Sequence, residues 1–244
     1  MSADPTVVVH ASADLLTAAT AARLITALVD VQAEGRVPSV VLTGGGTGIG
    51  VLAHVQASPA RDAVDWSRVE VFWGDERFLG AADPERNDVQ ARDALLDHLP
   101  LDPARVHAMA ADDGPAGGDP DAAAAAYRAA LDGRDHFDVL MLGVGPEGHV
   151  ASIFPDSPAV RSTESATAVR DCPKPPPTRI SLTLPSIGWA DHVWLITAGA
   201  GKAEAVARAV SGADPVDVPA AGARGRLSTL WLIDRAAATD LPPH

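Results

Sequence analysis

Short runs rich in valine, isoleucine and leucine alternate along this chain with longer segments rich in alanine and leucine. That alternation limits the possible folds more than any other feature of the sequence. Val7-Val8-Val9, Val40-Val41-Leu42-Thr43, Val69 to Trp73, Phe137 to Leu142, His192 to Thr197 and Thr229 to Ile233 read as strands. Ala13 to Glu34, with Ser12 or Asp14 near its cap, reads as a helix, as do Ile49 to Gln56, Asn87 to His98, Asp121 to Leu131 and Ala203 to Val210. Parallel strands need long crossovers, and helices supply them, so the pattern predicts a parallel-rich sheet with helices on both faces. The expected architecture is α/β, a single Rossmann-like domain over residues 1–244. The glycine-rich stretch Asp112 to Pro120 is flanked by the same alternation and reads as a surface loop within that domain. Cys172 to Pro177, "CPKPPP", reads as a stiff extended connection ending before the segment Thr178 to Leu184.

Charge and composition remove several classes of function. With 19 lysines and arginines against 32 aspartates and glutamates, the formal net charge is −13, which opposes binding to nucleic acid or an anionic membrane. A small anion is still admissible, because backbone N–H groups at a helix N-terminus and two or three focused cations suffice to hold it. No apolar stretch approaches the roughly 18 to 20 residues needed to span a bilayer, and "MSADPTVVVHASAD" lacks a basic region before an apolar core. A cytoplasmic, unexported protein is expected. One cysteine, Cys172, excludes an internal disulfide framework and a multi-thiolate metal site, and no H-E-x-x-H pair is present. Nothing in these patterns calls for a metal.

Four unusual loops follow expected strands, at the sheet edge where open α/β folds gather ligands. In "LTGGGTGIG", Gly44, Gly45, Gly46 and Thr47 bring bare backbone to a helix start, which suits an oxyanion; a tight turn without a ligand is the alternative. In "VFWGDERF", Asp75 and Arg77 end a strand, where a carboxylate can orient hydroxyls or water and a guanidinium can hold a carbonyl oxygen; a surface ion pair is the alternative. "LGVGPEGHVASIFP" formally spells G-x-G-x-x-G, but Glu147 would repel a diphosphate and Pro155 would interrupt the helix a dinucleotide fingerprint requires. Its glycines are better read as exposing His149, a side chain that titrates near neutrality and so suits general acid–base work, with Glu147 as a candidate partner. In "TAGAGKAEAV", Lys202 opens a helix, where a cation opposes the helix dipole unless an anion sits beside it; Arg179 is a candidate to join it. Ser152 lies three residues beyond His149, with no G-x-S-x-G elbow around it.

Taken in order, these segments resemble the 6-phosphogluconolactonase family over nearly the whole chain. "FDVLMLGVGPEGHVASIFPDSPAV" looks like the family's G-x-G-x-[DE]-G-H-x-A-S-[LI]-F-P signature. "VEVFWGDERFL" with "ERND" at 85–88 looks like its D-E-R loop and following asparagine, and "PPPTRISLTLPSIGWADHVWLITAGAGKAEAV" looks like its R-[IV]-[ST]-L-T and G-x-x-K segments. The first glycine loop departs from the family pattern S-G-G-[SR]-[TS]-P, with Gly48 in place of proline, a change that backbone anion binding should survive. The resemblance implies hydrolysis of 6-phospho-D-glucono-1,5-lactone to 6-phosphogluconate, the second step of the oxidative pentose phosphate pathway, without metal or organic cofactor. It implies His149 as acid/base, Asp75 and Arg77 facing the reacting end of the sugar, and Arg179, Lys202 and the first glycine loop near the phosphate. A monomer and a homodimer fit equally. The related glucosamine-6-phosphate deaminase/isomerase class has D-E-Y where this chain has Asp75-Glu76-Arg77, and a glutamate where it has Phe154. A non-catalytic phosphosugar sensor would be expected to lack the acid/base.

Overall fold

The computed structural model of the protein describes residues 4–242. The chain runs β1 (Thr6–His10), α1 (Ala13–Ala33), β2 (Ser39–Leu42), α2 (Gly45–Ala57), β3 (Glu70–Trp73), β4 (Asp75–Arg77), α3 (Asn87–Ala94), β5 (Val106–His107) and α4 (Pro120–Ala130). It continues through β6 (Phe137–Gly143), β7 (Ala166–Val169), β8 (Arg179–Leu182), α5 (Leu184–Ile187), β9 (Ala190–Thr197), α6 (Ala203–Val210) and β10 (Ser228–Asp234). Seven strands form a parallel sheet in the order β1-β10-β9-β6-β2-β3-β5.

Side chains of a strand alternate between the two faces of its sheet, and here each face has its own apolar core. Val40, Leu42, Val139, Met141, Trp194 and Ile196 pack with Leu16, Leu24 and Leu28 of α1 and Val51, Leu52 and Val55 of α2. Val41, Leu140, Leu142, Val193 and Leu195 point the other way, toward Ala123, Ala124 and Tyr127 of α4 and Val206 and Ala209 of α6. Strands covered on both sides are apolar on both faces, which is why Val40–Leu42 of β2 and Val139–Leu142 of β6 read as unbroken runs. Helix ends follow local chemistry: the Ser12 hydroxyl accepts from the Leu15 N–H at the start of α1, and Asp119 with Pro120 opens α4.

From β2 the chain winds outward through β3 and β5, then returns to the other side of β2 with β6 and continues to β9 and β10. The reversal between β2 and β6 is the topological switch point, where a crevice opens beyond the strands' carboxyl ends. Registered pairing of these two strands stops at Val41–Leu140. Beyond it the Thr43 hydroxyl accepts from the Gly143 N–H at 3.1 Å, tying two of the glycine turns together across the crevice. At the opposite end, Asp138 accepts from the Ser39 N–H (2.8 Å), the Ser39 hydroxyl (2.9 Å) and Arg36 (2.6 Å), fixing the same two strands from below.

Three features depart from the sequence expectation. The helix placed at Ile49 to Gln56 starts at Gly45, so most of the presumed glycine loop is the first turn of α2, with Gly44 as its cap. The D-E-R segment is not a loop but β4, which pairs antiparallel with β8, and β8 with β7, in a second three-stranded sheet. The helix expected to run from Asn87 to His98 ends at Ala94, and a turn of 3₁₀-helix follows at Leu96–His98.

Candidate active site

The four loops converge as expected, on a cleft of about 520 Å³ at the carboxyl end of the parallel sheet. Gly44, Gly45, Gly46, Thr47, Asp75, Arg77, His149, Arg179 and Lys202 all line it, and Glu147 touches His149 from behind. Both lysines of the chain, Lys174 and Lys202, are also on this wall.

On one side of the cleft is the start of α2, where Gly44 caps in an extended conformation without a side-chain hydrogen bond and the following N–H groups are free of intrahelical partners. Glycine is required at 44 by packing, because a β-carbon there would lie 1.9 Å from the Asn87 Oδ1. Asn87, buried at the start of α3, donates through Nδ2 to the Asp75 carbonyl at 2.8 Å and thereby holds β4 against the glycine turn.

The alternation of β4 separates its three side chains. Asp75 and Arg77 share the face that lines the cleft, whereas Glu76 points inward and is fully buried. Glu76 accepts from the backbone N–H groups of Arg77 (2.7 Å), Asn87 (2.7 Å) and Asp88 (2.9 Å) and faces Arg86 at 3.6 Å. Burial pushes its pKa up to about 7 against the pull of Arg86 and those three N–H groups. It is a brace joining β4 to α3. Asp75 accepts from the Ser152 hydroxyl at 2.6 Å and lies 3.8 Å from Arg179, so its carboxylate is oriented from two sides. Arg77 donates to the Glu85 carbonyl, which holds the guanidinium across the mouth of β4.

The segment after β6 forms a tight reversal rather than a helix. Val144 bridges Val150, Val150 bridges Ile153, and the Gly145 N–H donates to the His149 carbonyl at 2.9 Å. No helix begins until the short 3₁₀ turn at Pro158–Arg161, so the helix that a dinucleotide fingerprint needs is missing from this stretch. The reversal turns the His149 imidazole over Gly145, and only a residue without a β-carbon leaves room for it. The ring packs against Phe154 with centroids 4.4 Å apart, and its Nδ1 lies 3.0 Å from Glu147 Oε1. Nε2 has no hydrogen-bond partner among the described residues. Burial lowers the His149 pKa below its ordinary 6.5, and the Lys174 ammonium lowers it further, while Glu147 and Asp75 pull in the opposite direction without reversing the shift. The net shift favours the uncharged imidazole.

The fourth wall is the proline-rich connection; instead of the extended run expected, this strap turns back on itself, the Cys172 N–H donating to the Pro177 carbonyl at 3.0 Å, and sets Lys174 and Pro175 on the cleft. Arg179 donates to the carbonyls of Pro176 (3.2 Å), Pro175 (3.2 Å) and Lys174 (3.3 Å), so most of its donors hold the strap, and its remaining nitrogen faces Asp75. Lys202, at the entry to α6, has its pKa lowered by burial and by Lys174, with Glu147 opposing. Two ammonium groups kept close in one cleft create a potential that favours an anion. Sequence reasoning missed Lys174 as a site residue. Its signal was its rarity, since it is one of only two lysines, but a place inside "CPKPPP" made it look like part of a spacer. Among the described residues no three His, Cys, Asp or Glu side chains gather as a metal-binding set.

Comparison with known proteins gives the family and the fold. The family model described as glucosamine-6-phosphate isomerases/6-phosphogluconolactonase matches residues 11–231. A 6-phosphogluconolactonase of Streptomyces coelicolor is 59% identical, over 99% of this chain and 97% of its own length. The solved 6-phosphogluconolactonase of Trypanosoma brucei superposes with a TM-score of 0.83 at 25% identity, over 98% of this chain and 99% of that one. A monomeric glucosamine-6-phosphate deaminase superposes almost as well, with a TM-score of 0.81 at 20% identity over 96% and 99% of the two chains, so the fold is common to both activities. This chain belongs to the glucosamine-6-phosphate isomerase/6-phosphogluconolactonase family.

Proposed function

We propose that the protein is a lactone hydrolase that converts 6-phospho-D-glucono-1,5-lactone to 6-phosphogluconate, in the oxidative pentose phosphate pathway of the cytoplasm, working as one unit over 1–244. The observation that carries this reading is the His149 imidazole, held through Nδ1 at 3.0 Å from Glu147, in the same cleft as Lys202 and the bare start of α2. The names of the relatives support the same substrate.

Binding begins at the phosphate, which sits against the N–H groups of Gly44 to Thr47 with Lys202 as counter-charge. Arg179, which the resemblance puts near the phosphate, holds the strap that carries Lys174 and turns its remaining nitrogen to Asp75. Asp75, oriented by Ser152, accepts from sugar hydroxyls at the reacting end. His149 Nε2 removes a proton from water, and the hydroxide attacks the lactone carbonyl carbon. Arg77, or backbone N–H groups of the loop, stabilises the tetrahedral oxyanion. Glu147 supports the imidazolium formed in this step. The imidazolium then returns its proton to the ring oxygen as the C–O bond breaks, yielding the open-chain acid. A strained ester needs no covalent nucleophile, consistent with Ser152 being committed to Asp75. The deaminase reading loses ground at Phe154, whose ring occupies the space beside His149 where that chemistry would need a second carboxylate.

Freshly generated lactone, with acid release measured above spontaneous hydrolysis, tests the assignment. His149→Ala should remove about 10²–10⁴-fold of the rate while 6-phosphogluconate still binds. With His149 lowered below 6.5, the wild-type rate should hold at that pH and fall only under more acid conditions. Ammonia release from glucosamine 6-phosphate, or sugar-phosphate binding with no rate above background, would overturn the reading in favour of a deaminase or a sensor.

A further inference from the structure

Two oppositely charged groups compete for one ring nitrogen in this cleft. His149 Nδ1 has the Glu147 carboxylate at 3.0 Å, which requires a proton on that nitrogen. It also has the Lys174 ammonium at 3.4 Å, which requires a lone pair there. The outcome selects the tautomer: a proton on Nδ1 leaves Nε2 free to act as base, whereas a lone pair on Nδ1 places the proton on Nε2 and disables it. Lys174 Nζ lies 3.1 Å from each Glu147 oxygen, nearer than it is to the imidazole. Hydrogen bonds between two charged groups are the stronger ones, so the ammonium spends its donors on the carboxylate and leaves Nδ1–H to Glu147.

We propose that Lys174 is a positioning residue for the hydrolysis: it pins the Glu147 carboxylate against Nδ1 and keeps the resting imidazole neutral with its lone pair on Nε2. The charged groups that face the ring are Glu147 from its own loop, Lys174 from the strap and Asp75 from β4, with Lys202 at the α6 entry facing the Lys174–Glu147 pair. Lys174 is the only one of the three facing the ring that disfavours the imidazolium. Without it, Glu147 and Asp75 would draw a proton onto the ring at a higher pH, and the base would be consumed before water could be activated. The strap does not depend on the lysine side chain, because Arg179 clamps its carbonyls and the Cys172 N–H donates to the Pro177 carbonyl at 3.0 Å. The Lys174 side chain is 41% exposed, so its replacement leaves no buried gap.

This inference rests on His149 acting as the base, and the test separates the two ideas. Lys174→Met and Lys174→Arg are compared with the wild type in pH profiles of kcat/KM for the lactone, and the imidazole ¹⁵N shifts of His149 are recorded on the same samples. The methionine variant should shift the acid limb to higher pH, losing about threefold more activity near pH 6 than near pH 8, while the arginine variant keeps the wild-type limb. The nitrogen spectrum should report Nδ1–H in the wild type and a mixture of tautomers in Lys174→Met. An unmoved limb with equal fractional loss at every pH would overturn the proposal and make Lys174 a simple binding contact. A wild-type ring carrying its proton on Nε2 would overturn it too. If the wild type has no lactonase activity, the functional assignment fails, and the nitrogen spectra still decide the tautomer question.

Discussion

Replacing Gly145 by alanine tests whether the placement of His149 governs the rate. A β-carbon at 145 would stand 1.9 Å from His149 Nδ1, 2.1 Å from its Cε1 and 2.8 Å from Glu147 Oε2, and β-carbons essentially never approach closer than 3.0 Å. Phe154 packs against the ring with centroids 4.4 Å apart and restricts its retreat, so an imidazole pushed off Gly145 gives up its 3.0 Å contact with Glu147. The displacement is about 1 Å, and an error of that size at a reacting group costs roughly 10²-fold in rate. Gly145 is not among the residues with left-handed backbone, so alanine fits its conformation and the fold should persist. The predicted result is a kcat about 10²-fold below wild type, with KM nearly unchanged because the phosphate end is untouched. Continuous acid release from fresh lactone, corrected for spontaneous hydrolysis, gives both constants, and circular dichroism verifies folding. A folded variant with wild-type kcat would refute the claim that this ring must sit where Gly145 allows it.

Lys202→Ala should weaken 6-phosphogluconate binding by about tenfold or more, as loss of a charge-assisted hydrogen bond implies, yet leave the binding of unphosphorylated gluconate unchanged; calorimetry with both ligands checks this. Tyr127→Phe addresses stability apart from catalysis. The buried Tyr127 hydroxyl donates to the Trp73 carbonyl at 2.9 Å and accepts from the Trp73 N–H at 3.0 Å, where β5 no longer covers β3. Its loss strands two buried backbone groups and should cost about 1–3 kcal/mol in urea unfolding, with kcat/KM unaffected; an unchanged midpoint would contradict this account.

Much of the scaffold was legible because it rests on local chemistry. Largely apolar runs such as Val40–Leu42 and Phe137–Leu142 must lie between two covered faces, Ser12 caps the helix it precedes, and glycines after strands mark the crevice edge. The second sheet was not legible, since β4 has three residues and β7 and β8 four each, too short for alternation to stand out. The start of α2 was misread because glycine is a poor helix former, and its use there depends on Asn87 pressing against Gly44 from a segment more than forty residues away.

By itself the sequence determined that the chain alternates strand and helix, that glycine turns end several strands, and that a histidine and a lone lysine stand in two of those turns. These follow from side-chain period and backbone freedom, which act over a few residues. Tertiary structure alone decided which charges meet. It turned Asp75 and Arg77 toward the cleft and Glu76 into the core, because pairing with β8 set the register. It also brought Lys174 from a proline spacer to Glu147, because Arg179 holds that spacer by its carbonyls. Electrostatic partners are chosen by distance in space, and separation along the chain carries almost no record of it.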